Sequence, residues 1–223
     1  LGTRYRDIRN GMAGGLGPWG KLRAGPIDYA LHPSWVLDVG LRGRPHGLGT
    51  VAKYVAGTGS GNVANFMQWM AGQFDPSVTW KDIEWLRGMW KGNLLLKGIL
   101  DVEDAKAAVG IGADGMIVSN HGGRQLDGVA STASMLPHIA DAVGDQTTVL
   151  VDSGIRTGQD LVRALALGAK AALIGRPWAL AMAAGGEAGL TRYLGLMKQD
   201  MRTALGLSGA INARDVGRGV LLG

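Results

Sequence analysis

Residues 112–118, GADGMIV, and residues 168–174, GAKAALI, carry one pattern twice: a Gly-Ala turn leads from a helical stretch into a short, continuous apolar run. Runs without polar alternation are what parallel strands covered on both faces require. Working outward, Leu94–Gly98 and Thr148–Asp152 are two further runs of this kind, beside Gly115–Ser119 and Ala171–Gly175. Helical spacing predicts helices over Trp80–Trp90 with Thr79 as cap, Asp101–Val109 with acidic residues in its first turn, Ser134–Val143, and Thr157–Leu167. Two more follow, from about Trp178 to Ala184 and from Ala188 to Leu205. Strand and helix therefore alternate four times, and each strand ends on polar residues. That repetition predicts an α/β chain with the architecture of a (β/α)8 TIM barrel, whose chemistry collects at the carboxyl ends of its strands. A doubly wound open sheet is the alternative. A full barrel takes about 250 residues. Four visible units lead to the expectation of the C-terminal half of a barrel, with four strands upstream of Leu1.

The remaining composition narrows the classes. The chain has 223 residues, 46% of them hydrophobic and 18% charged, so it can bury a core as one domain, residues 1–223. Its 38 glycines exceed the ordinary share of about 7% more than twofold, without a collagen period. No cysteine is present, which excludes disulfides, thiolate metal sites and thiol catalysis. Residues 10–73 are rich in Gly, Pro and Trp with little periodicity, and read as a long irregular loop after strand 4 of the barrel. Residues 1–91 hold 11 Lys and Arg against 6 Asp and Glu, while the rest of the chain balances at 12 and 12. Six of the seven Trp lie in that basic part, a mixture suited to anionic lipid headgroups. No nucleic-acid-reading motif accompanies it, and no apolar run reaches the roughly 18 residues of a membrane span.

The strand ends present, in order, Lys97, then Ser119-Asn120-His121, then Asp152-Ser153-Gly154, then Gly175-Arg176. Glycine at a strand end, a following helix start and an arginine make a phosphate site, and the last two units have it, as Gly154 with Arg156 and Gly175 with Arg176. His121 leaves its strand on a Gly122-Gly123 loop with Arg124 and Asp127; an imidazole there serves as a base near neutral pH, and Arg124 can grip a carboxylate. Lys97 ends an apolar strand, so its ammonium requires a partner. Asp152 reads equally as a cap or a ligand.

SNHGGRQLDG, LLLKGIL, VDSGIRTG and LIGRP together resemble the FMN-dependent L-2-hydroxy-acid dehydrogenase and oxidase family, and DVGLRGRPHGLG with FDPSVTWKDIEWLR is most similar to its respiratory L-lactate dehydrogenases. The resemblance implies oxidation of a small 2-hydroxy acid, L-lactate to pyruvate, with FMN as cofactor and a quinone or cytochrome as acceptor; (S)-mandelate is the substrate alternative. His121 is then the active-site base, and Arg124 and Arg4 bind the substrate carboxylate. Lys97 and Ser119 lie by the flavin ring, Asp152, Gly154, Arg156, Gly175 and Arg176 hold the ribityl phosphate, and Ser153 is a further cofactor-binding residue. No metal is implied. Residues 11–73 occupy the position of a membrane-associating segment, which implies a cytoplasmic protein peripheral on the inner membrane, and a homo-oligomer, tetrameric by resemblance. Tyrosines that contact substrate and an aspartate that orients the histidine would lie upstream, so these residues alone are not expected to hold flavin stably. A truncated, non-catalytic half barrel is the competing class.

Overall fold

The computed structural model describes residues 18–43, 69, 72–126 and 128–221. They divide into two units, the first ending at Val78 and the second running from Thr79 to Gly223.

The second unit opens with helix α1, Trp80–Met89, whose start is fixed by reciprocal capping: Thr79 N–H and Oγ1 both donate to Asp82 Oδ2 at 2.7 Å. Strand β1, Leu95–Ile99, is followed by α2, Val102–Gly110, where Asp101 accepts from Glu103 N–H at 2.8 Å. The alternation continues with β2 (Gly115–Val118), α3 (Thr132–Val143), β3 (Thr148–Val151), α4 (Gly158–Ala166) and β4 (Ala171–Ala172). The last helix, α5, covers Arg176–Leu207. Apart from β4 and the last two helices, each predicted strand and helix of this half is thus present, shifted by a residue or two at its ends.

The four strands are parallel and lie in sequential order, β1-β2-β3-β4. A doubly wound sheet reverses direction at a switch point; these four strands contain no reversal. Lys97, Ile117, Leu150 and Ala171 stand side by side across the sheet. One face packs against the helices. Met116, Val118, Val149 and Val151 meet Ala105 and Ala108 of α2, Leu136, Ile139 and Val143 of α3 and Ala164 of α4 in a single buried cluster. On the other face Ile117 is buried, but Leu95 is 44% exposed and Leu173 39%.

Among the described residues the helices lie against one face of the sheet, as sequential strands without a reversal require. Three expectations need correction. β4 is two residues rather than five; Leu173 N–H still donates to Val151 O at 2.8 Å, after which the backbone turns at Gly175 into α5. The chain between 18 and 41 is not irregular. It runs through short helical pieces, Pro18–Leu22, Arg23–Ile27, Asp28–Leu31, Pro33–Trp35 and Val36–Leu41, two of them wound as wider π turns. Glycine and proline punctuate these pieces so often that no apolar period survives. The two C-terminal helices expected as separate appear as one long helical run whose backbone leaves helical angles at Gly185 and Gly186.

Gly158 at the start of α4 is the tightest contact between α4 and α5: an added Cβ would stand 2.0 Å from Met201 N and 2.4 Å from Met197 O. Gly158→Ala is expected to destabilise the protein by about 3 kcal/mol. Gly88→Ala, within α1 and facing open space, should raise stability by about 0.5–1 kcal/mol. Denaturant midpoints of the two variants check both signs.

Candidate active site at the strand ends

β1 carries a bulge between Lys97 and Ile99, with Gly98 at φ +98°. The Lys97 side chain crosses the end of β2. Its Nζ donates to Ser119 Oγ at 2.8 Å and pairs with Asp152 Oδ2 at 2.9 Å, so three strand ends meet at one ammonium. Ser119 is 2% exposed and the Asp152 side chain 15%. Ser153 Oγ donates to Asp152 Oδ1 at 2.6 Å. Burial works to raise the Asp152 carboxyl, but hydrogen bonds from Ser119, Ser153 and Lys97, together with the Lys97 charge, outweigh it and hold the group below its ordinary value of 3.8.

After β2 the chain turns sharply. Asn120 Oδ1 accepts from Gly122 N–H at 3.0 Å and from Gly123 N–H at 3.3 Å, closing a short 3-10 turn over His121–Gly123. His121 lies at φ +54° and Gly122 at +66°. This turn is tied back to the cluster at two points: His121 N–H donates to Ser119 Oγ at 3.1 Å, and Gly122 N–H also donates to Ser153 Oγ at 2.8 Å. From the fourth strand end, Arg176 donates through one terminal nitrogen to Gly122 O at 3.3 Å.

Of the residues singled out from the sequence, Lys97, Ser119, Asp152, Ser153, His121 and Arg176 are thus joined in one hydrogen-bonded assembly. Arg124 follows His121 on the same turn and is exposed. Arg156 is exposed on the loop after β3, whose backbone is anchored by Arg156 N–H to Asp160 Oδ2 at 3.1 Å and by Tyr193 Oη to Arg156 O at 2.9 Å. Gly154, at φ +99°, and Gly175 face open space where a Cβ would stand. Arg4 and Asp127 lie outside the described residues.

Two contributors escaped the sequence reading. Asn120 stands in a local signal that could have found it, since Asx residues before glycines close such turns. Thr132, buried, donates from Oγ1 to Ser153 O at 2.9 Å across 21 residues, for which no local signal exists. A cavity of about 900 Å3 lies elsewhere, lined by Gly144, Leu161, Lys170 and Arg218.

The donor set fits a flavin mononucleotide. Two guanidinium groups, glycine backbone open to close approach, and a helix whose Gly175 cap supplies no side-chain hydrogen bond suit a phosphate monoester. The partly exposed Lys97 ammonium suits an electron-accepting ring. Among the described residues no group of acidic and histidine side chains is arranged to hold a metal ion.

This chain belongs to the FMN-dependent dehydrogenase family, whose model matches residues 1–222. It is 53% identical over 222 residues to an L-lactate dehydrogenase of Azorhizobium caulinodans, covering 100% of this chain and 57% of that protein. Over 220 residues it is 53% identical to an L-lactate dehydrogenase of Caulobacter vibrioides, covering 99% and 56%. Among solved structures, the monotopic membrane protein (S)-mandelate dehydrogenase superposes with a TM-score of 0.84 at 37% identity, over 99% of this chain and 57% of the other. A mandelate oxidase variant carrying a monooxide FMN adduct superposes at 0.60 with 48% identity, over 64% and 46%. The chain spans a little over half the length of the curated relatives it matches.

Because the folded Asp152 carboxyl titrates below its unfolded value, its contribution to stability is complete above about pH 5 and is lost as pH falls through the lowered value. Asp82, lowered by hydrogen bonds from Thr79, and Asp114, lowered by the Leu94 N–H and by Arg87, act in the same direction. Asp152→Asn should flatten the loss of stability between about pH 5 and pH 2. Urea midpoints measured across that range check it.

Proposed function

We propose that this chain forms the C-terminal part of the catalytic domain of an FMN-dependent L-2-hydroxy-acid dehydrogenase that oxidises L-lactate to pyruvate. The observation that carries this is the convergence, at the ends of parallel strands in a chain of this family, of an ammonium, a hydrogen-bonded carboxylate, an imidazole-bearing turn and a guanidinium. L-lactate is preferred because the L-lactate dehydrogenases share 53% of residues over essentially the whole chain. Mandelate is the second reading, supported by the superposition on (S)-mandelate dehydrogenase. Sequential strands with one open face support completion of a (β/α)8 barrel by further strands.

Oxidation of a 2-hydroxy acid removes two electrons and two protons from the carbinol carbon and its hydroxyl. FMN, when bound, would accept the two electrons together with one of the two protons, leaving the other proton for the protein to take. His121 takes a proton leaving the substrate, and its turn holds the imidazole at the open ends of the strands. Arg124, three residues along the same turn, and Arg4 grip the carboxylate in planar, bidentate fashion. Lys97 and Ser119 would hold the flavin-ring end of the cofactor, where the Lys97 ammonium would favour negative charge on the ring. Asp152, Gly154 and Arg156 on the third strand end, with Gly175 and Arg176 on the fourth, hold the ribityl phosphate end of the cofactor. On this reading residues 1–223 are a single domain.

Residues 11–73 are proposed to seat the protein on an anionic membrane surface. In their described part Trp19 is 83% exposed and Leu31 70%, and Tyr29 stacks on Trp35 with ring centroids 6.0 Å apart. No helix among the described residues is long and apolar enough to cross a membrane. Aromatic side chains beside basic residues suit attachment at the headgroup level, and the resembling mandelate dehydrogenase is a monotopic membrane protein. Electrons then pass to a quinone or a cytochrome, with the protein peripheral on the inner membrane and homo-oligomeric.

Anaerobic addition of L-lactate to the flavin-loaded protein should bleach its visible absorption, and His121→Ala should slow that bleaching by about 10²–10⁴-fold. A flavin spectrum indifferent to both lactate and mandelate would overturn the reading. Sedimentation with vesicles containing anionic lipid should weaken when Trp19 and Trp35 are both replaced by serine, and should weaken with added salt; equal sedimentation of both proteins would remove the membrane role.

A further inference from the structure

His121 and Ser153 are the two non-glycine residues among those described that have positive φ, at +54° and +69°. A glycine would take either conformation freely, whereas a side chain there is strained and persists only where surrounding contacts enforce it. The two strained residues are joined. Gly122 N–H, the amide that follows His121, donates to Ser153 Oγ. The Ser153 carbonyl is held in turn by the buried Thr132 hydroxyl at 2.9 Å.

The hydrogen-bonding capacity of the Ser153 hydroxyl decides what it can do. A serine hydroxyl has one proton and two lone pairs. Its proton goes to Asp152 Oδ1 at 2.6 Å, and one lone pair receives Gly122 N–H at 2.8 Å. No proton remains to donate to a phosphate, so in this arrangement Ser153 cannot serve an anion as a donor. It closes a ring instead: Gly122 N–H to Ser153, Ser153 to Asp152, Asp152 to Lys97, Lys97 to Ser119, and His121 N–H to Ser119. Of the two backbone N–H groups flanking the His121 carbonyl, one is therefore fastened to the end of its own strand, β2, and the other to the end of the neighbouring β3.

We propose that Ser153 is a positioning residue, a strap that holds the His121–Gly122 turn in its left-handed form and so sets the imidazole over the strand ends. This revises its assignment as a cofactor-binding residue, and it rests on the reading of His121 as the base. Asn120 Oδ1 shares the Gly122 N–H at 3.0 Å, so loss of the strap loosens the turn without abolishing it.

The test compares Ser153→Ala, which keeps the strained backbone and deletes the hydroxyl, with Ser153→Gly, which deletes the hydroxyl and relieves the strain. In the flavin-loaded protein both variants are expected to lower kcat with L-lactate about tenfold, leaving KM and flavin affinity within about twofold. Hydrogen exchange at the Gly122 amide should quicken about tenfold in both. Ser153→Gly removes strain, so its melting temperature should match or exceed that of Ser153→Ala, which separates the strap from a folding defect. Wild-type kcat in Ser153→Gly, or unchanged Gly122 exchange in either variant, overturns the proposal. So does a tenfold loss of flavin affinity without faster exchange, which would return Ser153 to cofactor binding. If the unsubstituted protein oxidises no 2-hydroxy acid, the functional reading fails by itself, and amide exchange with flavin titration still decides the strap.

Discussion

The Asp152 carboxylate accepts from three side chains carried on three strand ends, and the arrangement of the site depends on it. In the sheet register Lys97 stands beside Ile117 and Leu150, so Ser119 and Asp152 each lie two positions further along their strands. Two residues of strand rise about 6.6 Å, a span that a lysine stem crosses and a shorter cation does not. Only parallel strands in this order and register place the ammonium against a buried serine on one neighbour and a carboxylate on the next but one. The pair is costly to break by halves. Removing Lys97 would leave a largely buried carboxylate served by two hydroxyls, and removing Asp152 would leave an ammonium at the end of an apolar strand.

Strand order and helix placement explain why the chemistry collects where it does. Each crossover runs from the carboxyl end of a strand through a loop, so the loops following β1 to β4 emerge side by side. The helices occupy one face and contribute caps, core and buried anchors such as Thr132. They leave the strand ends to His121, Asp152 and Arg176. Tyr193 from α5 and Asp160 from α4 fix the backbone around Arg156, so even the exposed arginine rises from a loop held at two points.

What could be read from the sequence follows from the range over which each signal acts. The four strand–helix units announce themselves through local patterns, Gly-Ala turns, capping residues and apolar runs, and their order fixes which residues reach the strand ends. The ring linking Lys97, Ser119, Asp152, Ser153 and Gly122 was legible only as a set of converging residues. Its partners and directions depend on register and on two left-handed residues that no propensity favours. The helical pieces between Pro18 and Leu41 went unread because glycine and proline mask their period. A continuous apolar run does not by itself reveal whether one side of a strand or both are covered; the number of strand–helix units, four rather than eight, is what points to an open face.

On the proposed assignment, Arg176 would tie the phosphate end of the site to the end that bears His121. Its guanidinium has five N–H donors, and in this structure one nitrogen is directed to the Gly122 carbonyl. The remaining donors are available to an anion at the start of α5. An anion gripped there would also restrain the guanidinium that contacts the His121 turn. Coupling of this kind is reciprocal: whatever anion occupancy contributes to ordering the turn, an ordered turn returns to anion affinity. The strained His121 backbone is therefore held from two directions, by the Ser153 hydroxyl through the Gly122 amide and by Arg176 through the Gly122 carbonyl. A base placed on a mobile loop would lose the orientation that proton transfer demands. One placed between two such anchors keeps it while its imidazole stays exposed to substrate.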